Sequence, residues 1–470
     1  MNTNISTKAG TLVCGLIVAA LFTIALTAAE VEGRVLANTG NHSPFGISDS
    51  AYHFLPINGT STRVNIQIEP ASAVVAVFFN AECSATGTTT AEDVSLDIDI
   101  LIDGRVIPPS DSENRFCTVG YPGFPYSTSA STNVATVLSH GSYRVEVRAR
   151  RIGASGTFAI DDSSTIAMSD VIAIGVNPNQ FFISDSATHF LPITFPDNRI
   201  TFRTTSVNQR VIIFFNAECS VKGWTGHTYL HMDVLIDGVP ARPSNRDNVL
   251  CSDHLNGNLI IDEVPLNSNN MSVSTNVHAL VPDPTVDHEV RVRVFLDRAN
   301  EGDMAMLDDV SVIVMDGRNV LALDTSAARV APLIVEGSRD RHPVPTNEGG
   351  NLALDFDTTD PIQMVAIFYN AECGVKGWFV EVRIDIFVDG ESVLPSRFAA
   401  VENQGNILCS STARGVADSF RPTSVSVNVG TFLNPGRHRL EIKAWYKLHP
   451  GVGLGPLQGF ALDESSIFVF

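Results

Sequence analysis

Seven residues, FFNAECS, stand at 78–84 and again, letter for letter, at 214–220, and a third version, FYNAECG, stands at 368–374. A chain that carries one sentence three times is built from tandem units, and each unit must reach the same local structure. The likeness runs well beyond the sentence. FGISDSAYHFLPI from Phe45 matches FFISDSATHFLPI from Phe181, with LDTSA from Leu323 as the nearest third counterpart. DILIDG (99–104), DVLIDG (233–238) and DIFVDG (385–390) recur, followed by Pro109, Pro243 and Pro395. STNV, STNV and SVNV surround Asn133, Asn276 and Asn428, and the units close on IDDSSTIAM, LDDVSVIVM and LDESSIFVF. Units of this size are whole domains rather than solenoid turns. At 470 residues the chain has room for several domains of about 100–200 residues each. The partition expected is 30–170, 171–317 and 318–470, each folding by itself, after an N-terminal segment 1–29.

Within a unit the periodicity is two. SLDIDILID sets Leu96, Ile98, Ile100 and Ile102 on one face and Asp97, Asp99 and Asp103 on the other, which is a strand. Asp103-Gly104, Asp237-Gly238 and Asp389-Gly390 are hairpin dipeptides, because Gly tolerates the positive φ that such turns need. No long stretch has convincing helical periodicity. Short strands punctuated by Gly, Pro, Asn and Asp imply an all-β chain of three antiparallel β-sandwiches, jelly-roll-like or Ig-like.

In VVAVFFNAEC both parities are apolar until Asn80, as in a strand covered on both faces or near a sheet's centre. Val77, Phe79, Ala81 and Cys83 then share one face and Phe78, Asn80 and Glu82 the other. Two readings of the repeated polar residues stay open. Asn80, Glu82, Asn216, Glu218, Asn370 and Glu372 are ligand or metal contacts, or they hydrogen-bond a neighbouring loop and fix the strand end. The second is preferred, because polar groups at strand ends usually satisfy backbone amides.

Residues 10–29 are an uncharged apolar run behind Lys8, as in an export signal. Small residues at Thr27 and Ala29 suit cleavage before Glu30; uncleaved, the run is long enough to anchor the chain in a bilayer. Cys14 lies inside this run after Val13, which does not suit lipid attachment. The remaining cysteines fall one pair to a repeat: Cys83 and Cys117, Cys219 and Cys251, Cys373 and Cys409. In an exported chain they predict three disulfides closed within the repeats, each stabilising by about 3–4 kcal/mol on the chain-entropy model. No Cys-x-x-Cys and no nearby His pair supports zinc instead. An extracellular or cell-envelope location follows. A net charge of −20 without a Lys/Arg cluster excludes nucleic acid.

The closing LDDVSVIVM, an aliphatic residue, two acids and a β-branched run, resembles the last strand of the jelly-roll modules of extracellular bacterial proteins, including many carbohydrate-binding modules. That resemblance implies a structural calcium between first and last strands, with Asp161, Asp162, Asp308, Asp309, Asp463 and Glu464 as ligands and Asp49 and Asp185 completing the oxygen set. A solvated turn is the competing reading of the same acids. Sugar-binding modules also present aromatic platforms, a role open to Trp224 and Trp378 in KGW; the first repeat has Gly87-Thr88 there. His53 and His189 read as packed strand residues. Nucleophile elbow, His-Glu-x-x-His and phosphate loop are all absent, and enzymes rarely triplicate an active site, so the chain is read as non-catalytic. An exported protein binding glycans or a cell-surface protein by avidity is expected; the alternative is a structural or assembly protein of the envelope or matrix. Contact with a membrane is expected only through residues 10–29, if uncleaved.

Overall fold

Alternating apolar residues become strands throughout the computed structural model, which describes residues 35–470 apart from 87–93, 111–114, 119–125, 154–155, 195, 223–227, 244–247, 253–270, 299, 326–332, 339, 347–349, 378–379, 394–405, 411–420 and 449–457. The first repeat holds β1 (Val35–Asn41), β2 (Phe45–Ile47), β3 (His53–Phe54), β4 (Arg63–Thr86) and β5 (Ser95–Ile102). It continues with β6 (Arg105–Val106), β7 (Arg115–Thr118), β8 (Tyr126–Ile152) and β9 (Thr157–Met168). The second holds β10 (Val171–Asn177), β11 (Phe181–Ile183), β12 (His189–Phe190), β13 (Ile200–Phe202), β14 (Gln209–Lys222) and β15 (Tyr229–Ile236). After these come β16 (Val239–Pro240), β17 (Val249–Ser252), β18 (Met271–Val281), β19 (His288–Asp297) and β20 (Met304–Asp316). The third holds β21 (Ala322–Thr325), β22 (Leu333–Glu336), β23 (His342–Pro343), β24 (Leu354–Thr358), β25 (Gln363–Lys376) and β26 (Val380–Val388). It ends with β27 (Glu391–Ser392), β28 (Asn406–Ser410), β29 (Arg421–Leu433), β30 (Gly436–Leu448) and β31 (Gly459–Val469).

All pairings are antiparallel. In the second repeat an inner sheet, β10-β20-β14-β18, lies against an outer sheet, β12-β19-β15-β16, and the third repeats this as β21-β31-β25-β29 and β23-β30-β26-β27. In the first, β4 and β8 are long enough to run through both layers, so the pairing is continuous. The Asp-Gly hairpins have positive φ at both residues, as at Asp103 (49°) and Gly104 (78°). The counterpart of β2 and β11 in the third repeat is β22; Leu323, Asp324 and Thr325 of LDTSA belong to β21, the counterpart of β1, and the rest of it lies outside the described residues. Proximity in sequence to the preceding strand misled that alignment.

Each repeat has its own apolar core, with Val77, Phe79, Ala81 and Cys83 facing inward in the first. The opposite parity of the same strand does not meet water. Phe78, Phe214 and Phe368 meet one another, with ring centroids 4.7, 4.9 and 4.9 Å apart. They lie in a fourth apolar cluster with Ala76, Ile212, Ala366, Met168, Met315, Phe468 and Phe470. The repeats are thus arranged around a pseudo-threefold axis, and residues 33–470 form one compact unit. Separated repeats would expose these phenylalanines. At the chain's end Ile467 and Val469 enter the third core, while Phe468 and Phe470 enter the shared cluster.

Replacing Phe78 by Ala removes a fully buried ring from that cluster and should cost about 3–5 kcal/mol. Calorimetry should show one endotherm for the whole ring moving to lower temperature, rather than loss of the first repeat's signal alone.

Candidate functional site: the seams and the disulfide end

Bonded cysteines sit where β4, β14 and β25 approach their ends: Cys83–Cys117, Cys219–Cys251 and Cys373–Cys409. The residues between them on the outer parity reach a different repeat. Asn80 Nδ2 donates to its own repeat's Ala130 carbonyl at 2.9 Å and to the third repeat's Ser426 carbonyl at 2.8 Å. Asn216 Nδ2 does the same to Val273 at 2.9 Å and to Ser131 of the first repeat at 2.7 Å. Asn370 Nδ2 completes the cycle to Val425 at 2.8 Å and to Ser274 of the second repeat at 2.7 Å. The hydroxyls of Ser129, Ser272 and Ser424 donate to the same three foreign carbonyls.

One layer along, the glutamates act alike. Glu82 Oε2 accepts from the Ile407 amide at 3.2 Å, Glu218 Oε2 from Arg115 at 3.2 Å and Glu372 Oε2 from Val249 at 3.3 Å. Each acceptor therefore satisfies the amide two residues before the second cysteine of the adjoining repeat. The foreseen hydrogen-bonding role is present, but its partner is a neighbouring repeat where a neighbouring loop was expected. The serine carbonyls were missed; their signal was the recurrent STNV, which had no assigned partner.

The acidic pairs have a backbone task. Asp162, Asp309 and Glu464 adopt φ of 42°, 47° and 45° at the bulge where β9, β20 and β31 slip against β4, β14 and β25. The preceding acid accepts from the amide of that strained residue, Asp161 at 2.9 Å, Asp308 at 3.0 Å and Asp463 at 2.8 Å. Asx side chains tolerate this left-handed geometry better than most. Asp49 and Asp185 bind His53 and His189, each at 2.7 Å, which holds both carboxyls below their usual range. The two histidines are half-exposed rather than packed. Among the described residues no group of three or more acids, histidines or cysteines is arranged to hold a metal ion.

Burial raises the seam carboxyls. Glu82 is pushed up to about 7, chiefly by desolvation, against the pull of Arg383 and the Ile407 amide. Asp162 is pushed to about 8 by desolvation and by the neighbouring Glu82 and Asp161. On the outer sheet Asp97 and Asp99 pair with Arg150 and Arg148, each at 2.7 Å, beneath the Tyr52 ring. Trp224 and Trp378 lie outside the described residues.

Where β1 meets the third repeat, a cleft of about 390 Å³ opens among Asn38, Thr39, Asp389, Glu391, Phe432 and His438. Asn38 Nδ2 reaches across it to the Val365 carbonyl at 3.1 Å, directly over Gly430. A Cβ on that glycine would lie 1.2 Å from the Asn38 amide nitrogen, so a side chain there would displace the bond.

No family model matches the chain, and no curated protein does. Similar solved structures include the tandem CBM51 modules of the family 98 glycoside hydrolase from Streptococcus pneumoniae SP3-BS71, at 10% identity over 57% of this chain and 80% of that one, TM-score 0.16. They also include peptide:N-glycanase F, at 9% identity over 64% and 95%, TM-score 0.25. The mavirus major capsid protein is a third, at 8% identity over 67% and 94%, TM-score 0.18. At these scores the likenesses carry no argument for this chain.

Because the folded chain holds protons on Glu82 and Asp162 that an unfolded chain has lost, stability should fall as pH rises from about 4.5, the ordinary carboxyl range, through about 8. Denaturant midpoints at pH 5.5 and pH 8 measure this; the first should be higher, and Glu82→Gln should shrink the difference.

Proposed function

We propose that the chain is an exported, non-catalytic protein that binds surface glycans through the disulfide ends of its three repeats. One observation supports this reading above others. The Phe, Asn and Glu layers of β4, β14 and β25 coincide around the axis, so the three strands run in the same direction and their disulfide ends face one side. Three ends on one rigid platform can engage a repetitive surface together, which raises avidity without any new contact. The triplicated Asn and Glu are occupied in holding the platform, which leaves them unsuited to catalysis. On this reading Trp224 and Trp378, five residues beyond Cys219 and Cys373, supply apolar faces for sugar rings.

Exposed Phe182 and Ile334 on the short edge strands β11 and β22 favour a second reading, lateral assembly in an envelope or matrix. Binding of the purified chain to a glycan array tests the first. Specific glycans should be retained, and Trp224→Ala with Trp378→Ala should weaken retention at least about tenfold, since one stacked ring contributes about 0.5–1.5 kcal/mol beyond burial and multivalency multiplies the loss. Retention of no glycan, with concentration-dependent sedimentation abolished by Phe182→Lys, would favour assembly instead.

A further inference from the structure

The seam between the second and third repeats carries a row of cation-forming side chains. Arg242 and His278 exchange both backbone hydrogen bonds, at 2.9 and 2.8 Å, and His278 pairs in turn with Ile212. Residues directly opposite in an antiparallel pair share a face, so Arg242, His278 and Ile212 form one row toward the pseudo-threefold axis. Arg210 follows two residues from Ile212 on the same face, a diagonal neighbour of His278. The His278 ring meets Phe468 of the third repeat edge-on, with centroids 6.2 Å apart. Arg242 is exposed and the other two are half-buried, so the row leads from solvent into the seam.

The other repeats pack without these residues. The matching positions are Val74, Pro108 and Ala135 in the first and Met364, Leu394 and Gly430 in the third, all uncharged. In the second repeat the placement is costly. Among the described residues Arg210 Nε and His278 Nδ1 are buried without a hydrogen-bond partner, and neither Arg210 nor Arg242 has an ion pair. Desolvation and the charges of Arg210 and Arg242 push His278 down to about 4. The acids alongside are engaged elsewhere: Asp316, opposite Val211 and so on the other parity, accepts from Arg318 at 2.8 Å, and Asp170 accepts from Asn319 at 3.2 Å. Buried donors and repelling cations of this kind are relieved by an anion.

We propose that Arg210, His278 and Arg242 form a binding site for one tetrahedral oxyanion, a sulfate or phosphate group, at the seam of the second and third repeats. Guanidinium forks match the oxygens of such groups, and charge-assisted hydrogen bonds are the stronger kind. A tetrahedral group offers a separate oxygen to each of three donors, where a carboxylate offers two. The net charge of −20 disfavours a polyanion, so the group is a free ion or a single ester on a sugar. The site lies toward the end of β14 away from Cys219 and does not rest on glycan binding at the disulfide ends.

Isothermal titration of the full chain with sodium sulfate and with sodium phosphate, chloride holding the ionic strength constant, should show one saturable site. Arg210→Met and His278→Ala install residues that the matching positions carry, and Arg242→Gln alters an exposed side chain, so calorimetry should report a folded ring for all three. Each should weaken binding at least about tenfold, the usual weight of one hydrogen bond to a charged group. In NMR, sulfate should raise the pH at which the His278 ring titrates, because a bound anion favours the charged ring. Galactose 6-sulfate separates the sources: binding at least as tight as that of inorganic sulfate assigns a sugar ester, and binding of the inorganic ions alone assigns a free ion. No saturable heat, or equal affinity in the variants, which would mean an adventitious ion only, would overturn the proposal. So would stabilisation that rises with sulfate concentration without saturating, a general salting effect.

Discussion

The Asn amide that bridges two repeats is the contact on which the remaining architecture depends. Asn80, Asn216 and Asn370 each donate one amide group to two carbonyls, one in their own repeat and one in another, in the order first to third, second to first, third to second. Such a contact requires both carbonyls at fixed positions, so it sets the rotation and the height of one sandwich against the other. An orphaned amide at this depth would cost about 1–3 kcal/mol, which penalises slipped arrangements of the apolar faces. The phenylalanine layer supplies attraction without direction, and the amide layer supplies direction.

Glutamates in the next layer have a cost as well as a role. Burying carboxyls beside others, as with Glu82, Asp161 and Asp162, is unfavourable when they are ionised, and their raised affinity for protons is the measure of that. Arg383 opposes this charge from the third repeat. Polar seams of this kind specify one docking geometry at some expense of stability, which suits a chain whose three sandwiches are nearly interchangeable. With three similar faces, wrong pairings are available at every seam. Asn38 over Gly430 differs from its counterparts in the other repeats and so marks the seam that closes the ring.

Sequence made much of this legible. Period-two alternation located the strands, the Asp-Gly dipeptides located hairpins, and VVAVFFNAEC, apolar on both parities, suited a strand covered on both faces or near a sheet's centre. What it withheld was the identity of the second cover. Phe78 and Val77 look alike in a list of residues, and only a register between chains far apart in sequence distinguishes the inner core from the seam. The pairs Asp161-Asp162, Asp308-Asp309 and Asp463-Glu464 were conspicuous for a similar reason. Acids suggest ligands, and the structure adds a backbone role: one residue takes a left-handed backbone and its neighbour caps the amide. Backbone conformation of that kind leaves only a weak compositional trace.

Separating the chain tests ring closure most directly. Residues 33–317 and 318–470, prepared as two polypeptides and mixed, should assemble into a one-to-one complex, because the shared phenylalanine cluster and two of the three amide bridges lie between them. Analytical ultracentrifugation would show a single species with the mass of the intact ring, weakened by Asn80→Ala or Asn370→Ala. Two soluble, well-folded fragments that sediment independently at micromolar concentration would contradict the account.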